Sequence, residues 1–173
     1  MAKNSSILMR EPTEQDETQF LEAMHHSHEL HHPWVNPPQT SKEFKDYIQR
    51  SKQENQKCFL LMTDTGKIAS VFNLSEIVRG CFHSAYLGFY VILDYAGKGY
   101  MSAGLKLLCS KAFEELKLHR IEANIQPENI GSIKLVKYNG FKKEGYSPRY
   151  LKINDTWCDH ERWAITYEDW LKR

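Results

Sequence analysis

Apolar and polar positions alternate along the chain in a pattern that divides it into short elements. Ser6-Ile7-Leu8-Met9-Arg10 predicts a first strand. Pro12-Thr13-Glu14 starts a helix, with Glu14, Asp16 and Glu17 near the positive end of its dipole and Phe20, Leu21 and Met24 as its apolar stripe. Pro33, Pro37 and Pro38 stop that helix and make residues 32–38 a loop. A second helix begins at Ser41, with Phe44, Tyr47 and Ile48 on one face. Residues 58–62 then read as a strand, 64–67 as a tight turn and 68–74 as the returning strand. The run 85–93 is continuously apolar, which predicts a central strand buried on both faces.

A helix follows, with Met101, Leu105, Leu108, Ala112, Phe113 and Leu116 spaced by three and four. Residues 119–125 read as a strand and 130–138 as a short helix stopped by Asn139-Gly140. The remainder to Tyr167 reads as two strands around the turn Asn154-Asp155. The order is strand, two helices, three strands, helix, strand, helix, two strands. With 173 residues and no repeat or linker, that predicts one α/β domain over 1–173.

Composition narrows the class. Hydrophobic residues are 41% and charged residues 26%, ordinary values for a folded globular chain. Cys58, Cys81, Cys109 and Cys158 form no C-x-x-C, and the start Met1-Ala2-Lys3-Asn4 has no apolar signal core. No apolar run approaches the roughly 20 residues of a membrane helix. Reduced thiols in a cytoplasmic protein are the expectation.

The strongest chemical signal is the junction Leu93-Asp94-Tyr95-Ala96-Gly97-Lys98-Gly99-Tyr100-Met101-Ser102, where an apolar strand runs through Gly-x-Gly into an amphipathic helix. Glycines permit the tight turn, and unpaired N–H groups at the helix start suit a pyrophosphate, with Lys98 adding a cation. The spacing fits neither a P-loop nor the three-glycine dinucleotide fingerprint. An ordinary glycine turn is the competing reading.

This segment resembles the acyl-CoA pyrophosphate loop of the GNAT N-acetyltransferase superfamily, Gln/Arg-x-x-Gly-x-Gly/Ala. Gly97 and Gly99 match, while Asp94 stands where Gln or Arg is usual, a departure of little weight for a loop that works through backbone N–H groups. Residues 127–132 resemble the family's Asn-x-x-Ser/Ala segment, and Tyr138-Asn139-Gly140-Phe141 its Leu-Gly-Phe stop. With Asn73-Leu74-Ser75, Val78-Arg79-Gly80, Phe82-His83, Tyr86-Leu87-Gly88, Glu144-Gly145-Tyr146 and Trp157-Cys158-Asp159-His160, nearly the whole chain is similar to the RimJ/RimL branch.

The resemblance implies a GNAT fold: a mixed, splayed six- to seven-stranded sheet with helices on both faces, and acetyl-CoA as co-substrate. It implies that Phe89, Tyr90 and Val91 pair their backbone with the pantetheine arm, that Gly97, Lys98, Gly99, Tyr100, Met101 and Ser102 hold the pyrophosphate, and that Asn129 and Ser132 flank the thioester. Asn129 reads equally as a helix N-cap on Ser132. Ser132 is the expected acid, a hydroxyl placed to steady the leaving thiolate, because the tyrosine used by many relatives falls at Val136, two residues before Tyr138. The glutamate base of some relatives falls at Asn124 or Leu151, which leaves Glu76, His83 and Asp159 as candidate bases. Asp159 also reads as structural, paired with His160 or a backbone amide. An α-amine, with a reference pKa near ~8 against ~10.4 for lysine, needs only a weak base or a water relay.

Trp34, in the proline-rich loop, is expected to contact the acceptor, with Tyr146, Arg149 and Tyr150 as the opposite wall. His28-Glu29-Leu30-His31-His32 matches H-E-x-x-H, but Pro33 ends any helix carrying both ligands, and His25 and His26 make a chance match easy. No catalytic metal is expected, only adventitious binding or a histidine-lined groove edge.

The formal charge of +1 is a cancellation. Residues 1–56 carry 6 Lys+Arg against 9 Asp+Glu, whereas residues 95–152 carry 11 against 5, a basic segment suited to a polyphosphate. No sequence-specific nucleic-acid or membrane contact is expected. The expected reaction is direct acetyl transfer to an amine, foremost the N-terminal α-amine of a protein, a ribosomal protein being implied by the resemblance, with homodimerisation and ribosome contact as further implications. A small-molecule amine or antibiotic acetyltransferase is the enzymatic alternative. A non-catalytic acyl-CoA-binding or ribosome-associated module is the alternative of another class.

Overall fold

The computed structural model describes residues 6–173, so the Met1-to-Asn4 start lies outside the described residues. Seven strands form one sheet: β1 Leu8–Arg10, β2 Lys57–Met62, β3 Ile68–Val78, β4 Ser84–Val91, β5 Arg120–Ile125, β6 Lys142–Ile153 and β7 Thr156–Thr166. Their spatial order is β1-β2-β3-β4-β5-β7-β6, antiparallel throughout except for β4 beside β5. The helices are α1 Glu17–His26, α2 His28–His31, α3 Ser41–Ser51, α4 Tyr100–Ser110, α5 Ile130–Tyr138 and α6 Tyr167–Leu171. The crossover through α4 is what allows β5 to return parallel to β4.

Alternation along the strands builds two apolar layers. Phe59 and Leu61 of β2 and Phe72 and Leu74 of β3 face one side, where they meet Leu105 and Leu108 of α4 and Val136 of α5. Cys58, Leu60 and Met62 face the other, against Phe20 and Met24 of α1 and Phe44, Tyr47 and Ile48 of α3. Helices therefore cover both faces, as expected. Helix α3 starts on a capping box in which Thr40 accepts from Glu43 N–H and the Glu43 carboxylate accepts from Thr40 N–H.

Three sequence expectations change. The run 85–93 is central in the sheet but not buried on both faces: β4 ends at Val91, and Phe89, Tyr90 and Val91 are only half-buried. The reason is that β4 pairs with β5 only over Ser84–Tyr86 before the two part into a fork, and the α1–α3 layer does not reach past β4. The helix over 101–116 stops at Ser110 and runs on as one wide turn, with Leu116 N–H donating to Lys111 C=O at 2.9 Å. The five-residue α6 follows β7 where no helix was expected, too short for periodicity to announce.

Candidate active site

The fork between β4 and β5 opens into a cavity of about 740 Å³, within the range of ligand pockets. Its floor is Phe89, Tyr90 and Val91. One wall is the glycine turn and the start of α4, another is α5, and the third is the loop carrying Trp34.

Register decides which β4 groups face the fork. Ile92 N–H donates to Ala69 C=O, which makes Ser70 opposite Val91 a non-hydrogen-bonded pair; Phe72 opposite Phe89, two residues on, is another. The backbone groups of Phe89 and Val91 therefore point into the fork, whereas those of Tyr90 are committed to Val71. That corrects the expectation that all three residues offer backbone to a ligand. The Val91 carbonyl is already taken, since His31 Nε2 donates to it at 2.8 Å. A carbonyl only accepts, so the His31 proton sits on Nε2. Burial pushes the His31 imidazole below its ordinary range. Ser27 Oγ accepts from Leu93 N–H at 3.0 Å, a second tie between the α1–α2 corner and the end of β4.

Gly97 and Gly99 have φ of 70° and 86°, and a Cβ at either would meet nothing within 4 Å. Left-handed backbone, not crowding, requires glycine here. The first bond of α4 runs from Ala103 N–H to Gly99 C=O, and no side chain caps the helix. The N–H groups of Tyr100, Met101 and Ser102 precede that bond and are left for an anion. The side chain of Ser102 donates instead to Asn139 Oδ1, which ties α4 to the end of α5. Lys98 and the Tyr100 ring lie outside the cavity lining, the latter edge-on against Tyr95 at 5.0 Å. Asp94 turns away to His26 Nε2.

Asn129 caps α5, its Oδ1 accepting from Ser132 N–H at 3.2 Å, and both residues line the cavity. Capping and exposure to the fork coexist. The Ser132 hydroxyl is half-buried, has no hydrogen-bond partner among the described residues, and lies in the first turn of the helix. Val136 is fully buried, so the position of the usual tyrosine faces the core. Gly131, Lys134, Leu135 and Tyr138 share the cavity-facing side. These four, with Val35 and Tyr95, were not picked out from sequence, whereas Leu30 and His31 belong to the stretch expected at the groove edge. The α5 set was readable, because 131, 134, 135 and 138 follow the helical period opposite Val136.

Other candidates stand elsewhere. Glu76 and His83 flank the far end of the β3–β4 hairpin at φ 48° and 44°, and the His83 carbonyl accepts from His119 and Arg120 N–H. Five residues of strand, about 17 Å, separate that end from Phe89. Asp159 accepts from the Tyr146 hydroxyl and from Arg149 N–H at 2.7 Å, which together hold its carboxyl below the ordinary range. Those bonds suit the structural reading of Asp159. Tyr146, Arg149 and Tyr150 lie on β6, outside the cavity lining, and Tyr150 packs edge-on against His160. Trp34 does line it. His32 lies beyond the end of α2, and no group of three or more potential ligands stands together among the described residues. No described helix is long and apolar enough to cross a membrane.

A second hollow of about 690 Å³ lies behind α4 against Cys109, Trp170 and Arg173. It borders no unpaired helix start, and the Arg173 guanidinium is spent on the Tyr138 carbonyl at 2.9 Å.

Comparison with known proteins agrees with this geometry. Residues 6–142 match the family model described as Acetyltransferase (GNAT) domain. A [Ribosomal protein uS5]-alanine N-acetyltransferase of Escherichia coli (strain K12) is 40% identical over 107 residues, 62% of this chain and 55% of that protein. The chain thus spans little more than half of that relative. Among solved structures, Mycobacterium smegmatis RimJ in complex with CoA-disulfide superposes with a TM-score of 0.86 at 24% identity, covering 94% of this chain and 83% of that one. A spermidine N-acetyltransferase from Vibrio cholerae in complex with CoA and spermine gives 0.82 at 18% identity, covering 95% and 98%. At these identities the two structures speak to the fold.

Proposed function

This chain belongs to the GNAT acetyltransferase family, an acetyl-CoA-dependent N-acetyltransferase, and from that premise we propose that its acceptor is the α-amine at the N-terminus of a protein chain. The observation that carries this reading is a tie between the loop that carries the cavity-lining Trp34 and the tip of the β6–β7 hairpin. Asn36, in the Trp34 loop, donates through Nδ2 to Asn154 Oδ1 at 2.6 Å, and Asn154 Nδ2 donates to the Pro33 carbonyl at 3.2 Å. With the Trp34 wall tied to the hairpin tip, the reading favours a thin chain end over an internal side chain on a folded surface.

The donor set fits a CoA thioester. Phe89, through its N–H and C=O, and Val91, through its N–H, would pair with the peptide-like pantetheine arm. The N–H groups at the start of α4 would hold the pyrophosphate, with Lys134 contributing positive charge from the facing wall. Ser132 would steady the departing sulfur: the acceptor nitrogen bonds to the acetyl carbon, the C–S bond breaks, and the thiolate takes a hydrogen bond from the hydroxyl at the positive end of α5. The amine proton passes to water. The carboxylate candidates stand away from the fork or are already bonded, and an α-amine, with its reference pKa near ~8, tolerates that.

The test is thiol release from acetyl-CoA across peptides beginning with Ala, Ser or Met, an N-terminally blocked lysine peptide, spermidine and an aminoglycoside. Turnover with the free-N-terminus peptides, at least about tenfold above the others in kcat/KM, supports the reading. Preference for spermidine or the aminoglycoside overturns it. CoA binding without turnover on any acceptor favours a binding module.

A further inference from the structure

Five buried polar atoms have no partner among the described residues, and two of them, Asn124 Oδ1 and Arg162 Nε, stand side by side on β5 and β7. The residues are register partners, Asn124 on β5 opposite Arg162 on β7. Their sequence neighbours Ala123, Ile125 and Trp163 fill the core under α4 and α5, so alternation puts Asn124 and Arg162 on the opposite face. That is the face from which α1, α2 and the Trp34 loop rise. The β4–β5 register, Ser84 with Arg120 and Tyr86 with Glu122, carried two residues further sets Asn124 across the fork from Gly88. Asn124 is therefore at the crotch of the fork, one residue along from Phe89 and just beyond the residues that line the cavity.

Arg162 is near Glu144, whose carboxyl its charge helps to hold down, but it is hydrogen-bonded to no carboxylate among the described residues. Glu122 and Glu144 are both bonded to Arg120, and Glu161 is bonded to Lys143 at 2.6 Å and to Trp163 Nε1 at 2.9 Å. Its guanidinium lies on the backbone of Gly145, where a Cβ would come within 2.4 Å of Nη2. Gly145 is the register partner of Arg162 on β6, so packing as well as sequence fixes the guanidinium in place. The buried Nε is a donor with no acceptor among the described residues, and such a donor calls for one.

The two groups complement a peptide unit. Asn124 Oδ1 accepts, and Arg162 donates. We propose that Asn124 and Arg162 bind the acceptor: Asn124 Oδ1 accepts an N–H of the incoming chain end, and Arg162 donates to the carbonyl of its first residue. This rests on the α-amine reading and adds a reason for selectivity within it. A polyamine offers N–H donors and positive charge only, so it satisfies Asn124 but meets Arg162 as a like charge.

The experiment compares kcat/KM for alaninamide, isopropylamine (a methyl in place of the carboxamide) and spermidine in the wild type, Arg162→Met and Gly145→Ala. With kcat/KM referred to the neutral amine present at the assay pH, the wild type is expected to prefer alaninamide to isopropylamine by about 100-fold or more, since a buried donor left unpaired discriminates strongly. Arg162→Met should lose about 10- to 100-fold on alaninamide, keep isopropylamine within about twofold, and gain on spermidine. Gly145→Ala, which displaces the guanidinium without removing it, should move selectivity the same way, and it serves if Arg162→Met fails to fold by circular dichroism. Equal losses on alaninamide and isopropylamine, or no loss on either, overturn the assignment while leaving the α-amine reading intact. A wild type that acetylates spermidine and not alaninamide overturns the α-amine reading and the assignment with it.

Discussion

Asn36 and Asn154 stand 118 residues apart in sequence, and their side chains meet at 2.6 Å, joining the Trp34 loop to the tip of the β6–β7 hairpin. Asn154 is held for the contact by a turn in which it and Asp155 have φ of 49° and 62°. Asn154→Gly keeps that left-handed turn and removes both bonds. We expect KM for an Ala-starting peptide to rise about three- to tenfold, from roughly 1 kcal/mol of lost hydrogen bonding, with KM for acetyl-CoA unchanged. Initial rates with each substrate varied in turn check this; an equal rise in both would point to general disorder of the site.

Ser132 and Asn129 can be separated. Ser132→Ala should lower kcat by about 100-fold with little change in KM for acetyl-CoA, the signature of a group needed in the transition state. Asn129→Ser keeps a good N-cap on α5, so stability should stay within about 0.5 kcal/mol, whereas Asn129→Ala should cost about 1 kcal/mol. Activity lost in Asn129→Ser at unchanged stability marks ligand contact; activity retained assigns Asn129 to the cap alone. Urea titration beside initial rates gives both readouts.

Gly99→Ala should act through the backbone. A left-handed alanine costs about 1–2 kcal/mol, and nothing lies near enough to clash. The turn is expected to relax away from φ 86°, raising KM for acetyl-CoA about tenfold or more and leaving the acceptor KM unchanged. Calorimetric CoA binding to the variant measures the loss directly.

His31 predicts a pH dependence of stability. Its folded pKa is lowered, mainly by burial and against the Val91 carbonyl, so the unfolded chain binds the proton first. The contribution is fully present above the reference value near ~6.5 and is lost as pH falls below it toward the folded value, at most about 1.4 kcal/mol per pH unit. Urea midpoints of the wild type should drop between pH 7.5 and 5.5 by more than those of His31→Gln, whose amide can still donate to Val91. Parallel slopes in the two proteins would refute it.

What was legible in sequence was local. Gly97 and Gly99 declare a left-handed turn because few other residues tolerate it, Asn129 declares a cap because its target lies three residues on, and Asn154-Asp155 declares a two-residue turn. The core stripes of α3 and α4 follow from helical spacing in the same way. What sequence hid depends on partners distant in the chain. The exposure of β4 comes from its parting from β5, although its apolar run reads as fully buried. His31 looked like one of a histidine cluster until β4 supplied the carbonyl that it holds, and Arg162 stands out only once Arg120 is seen to consume the neighbouring carboxylates. Asp159 read in sequence as a base or a structural carboxylate, and in the fold Tyr146 and Arg149 occupy its oxygens.

The central claim, transfer to an α-amine, is tested most directly by tandem mass spectrometry of one Ala-starting peptide that also contains an internal lysine, after incubation with the protein and acetyl-CoA. The expected product carries a single acetyl group on the Ala nitrogen, with the lysine unmodified. Acetyl on the lysine side chain, or an unmodified peptide under conditions in which spermidine is acetylated, would contradict it.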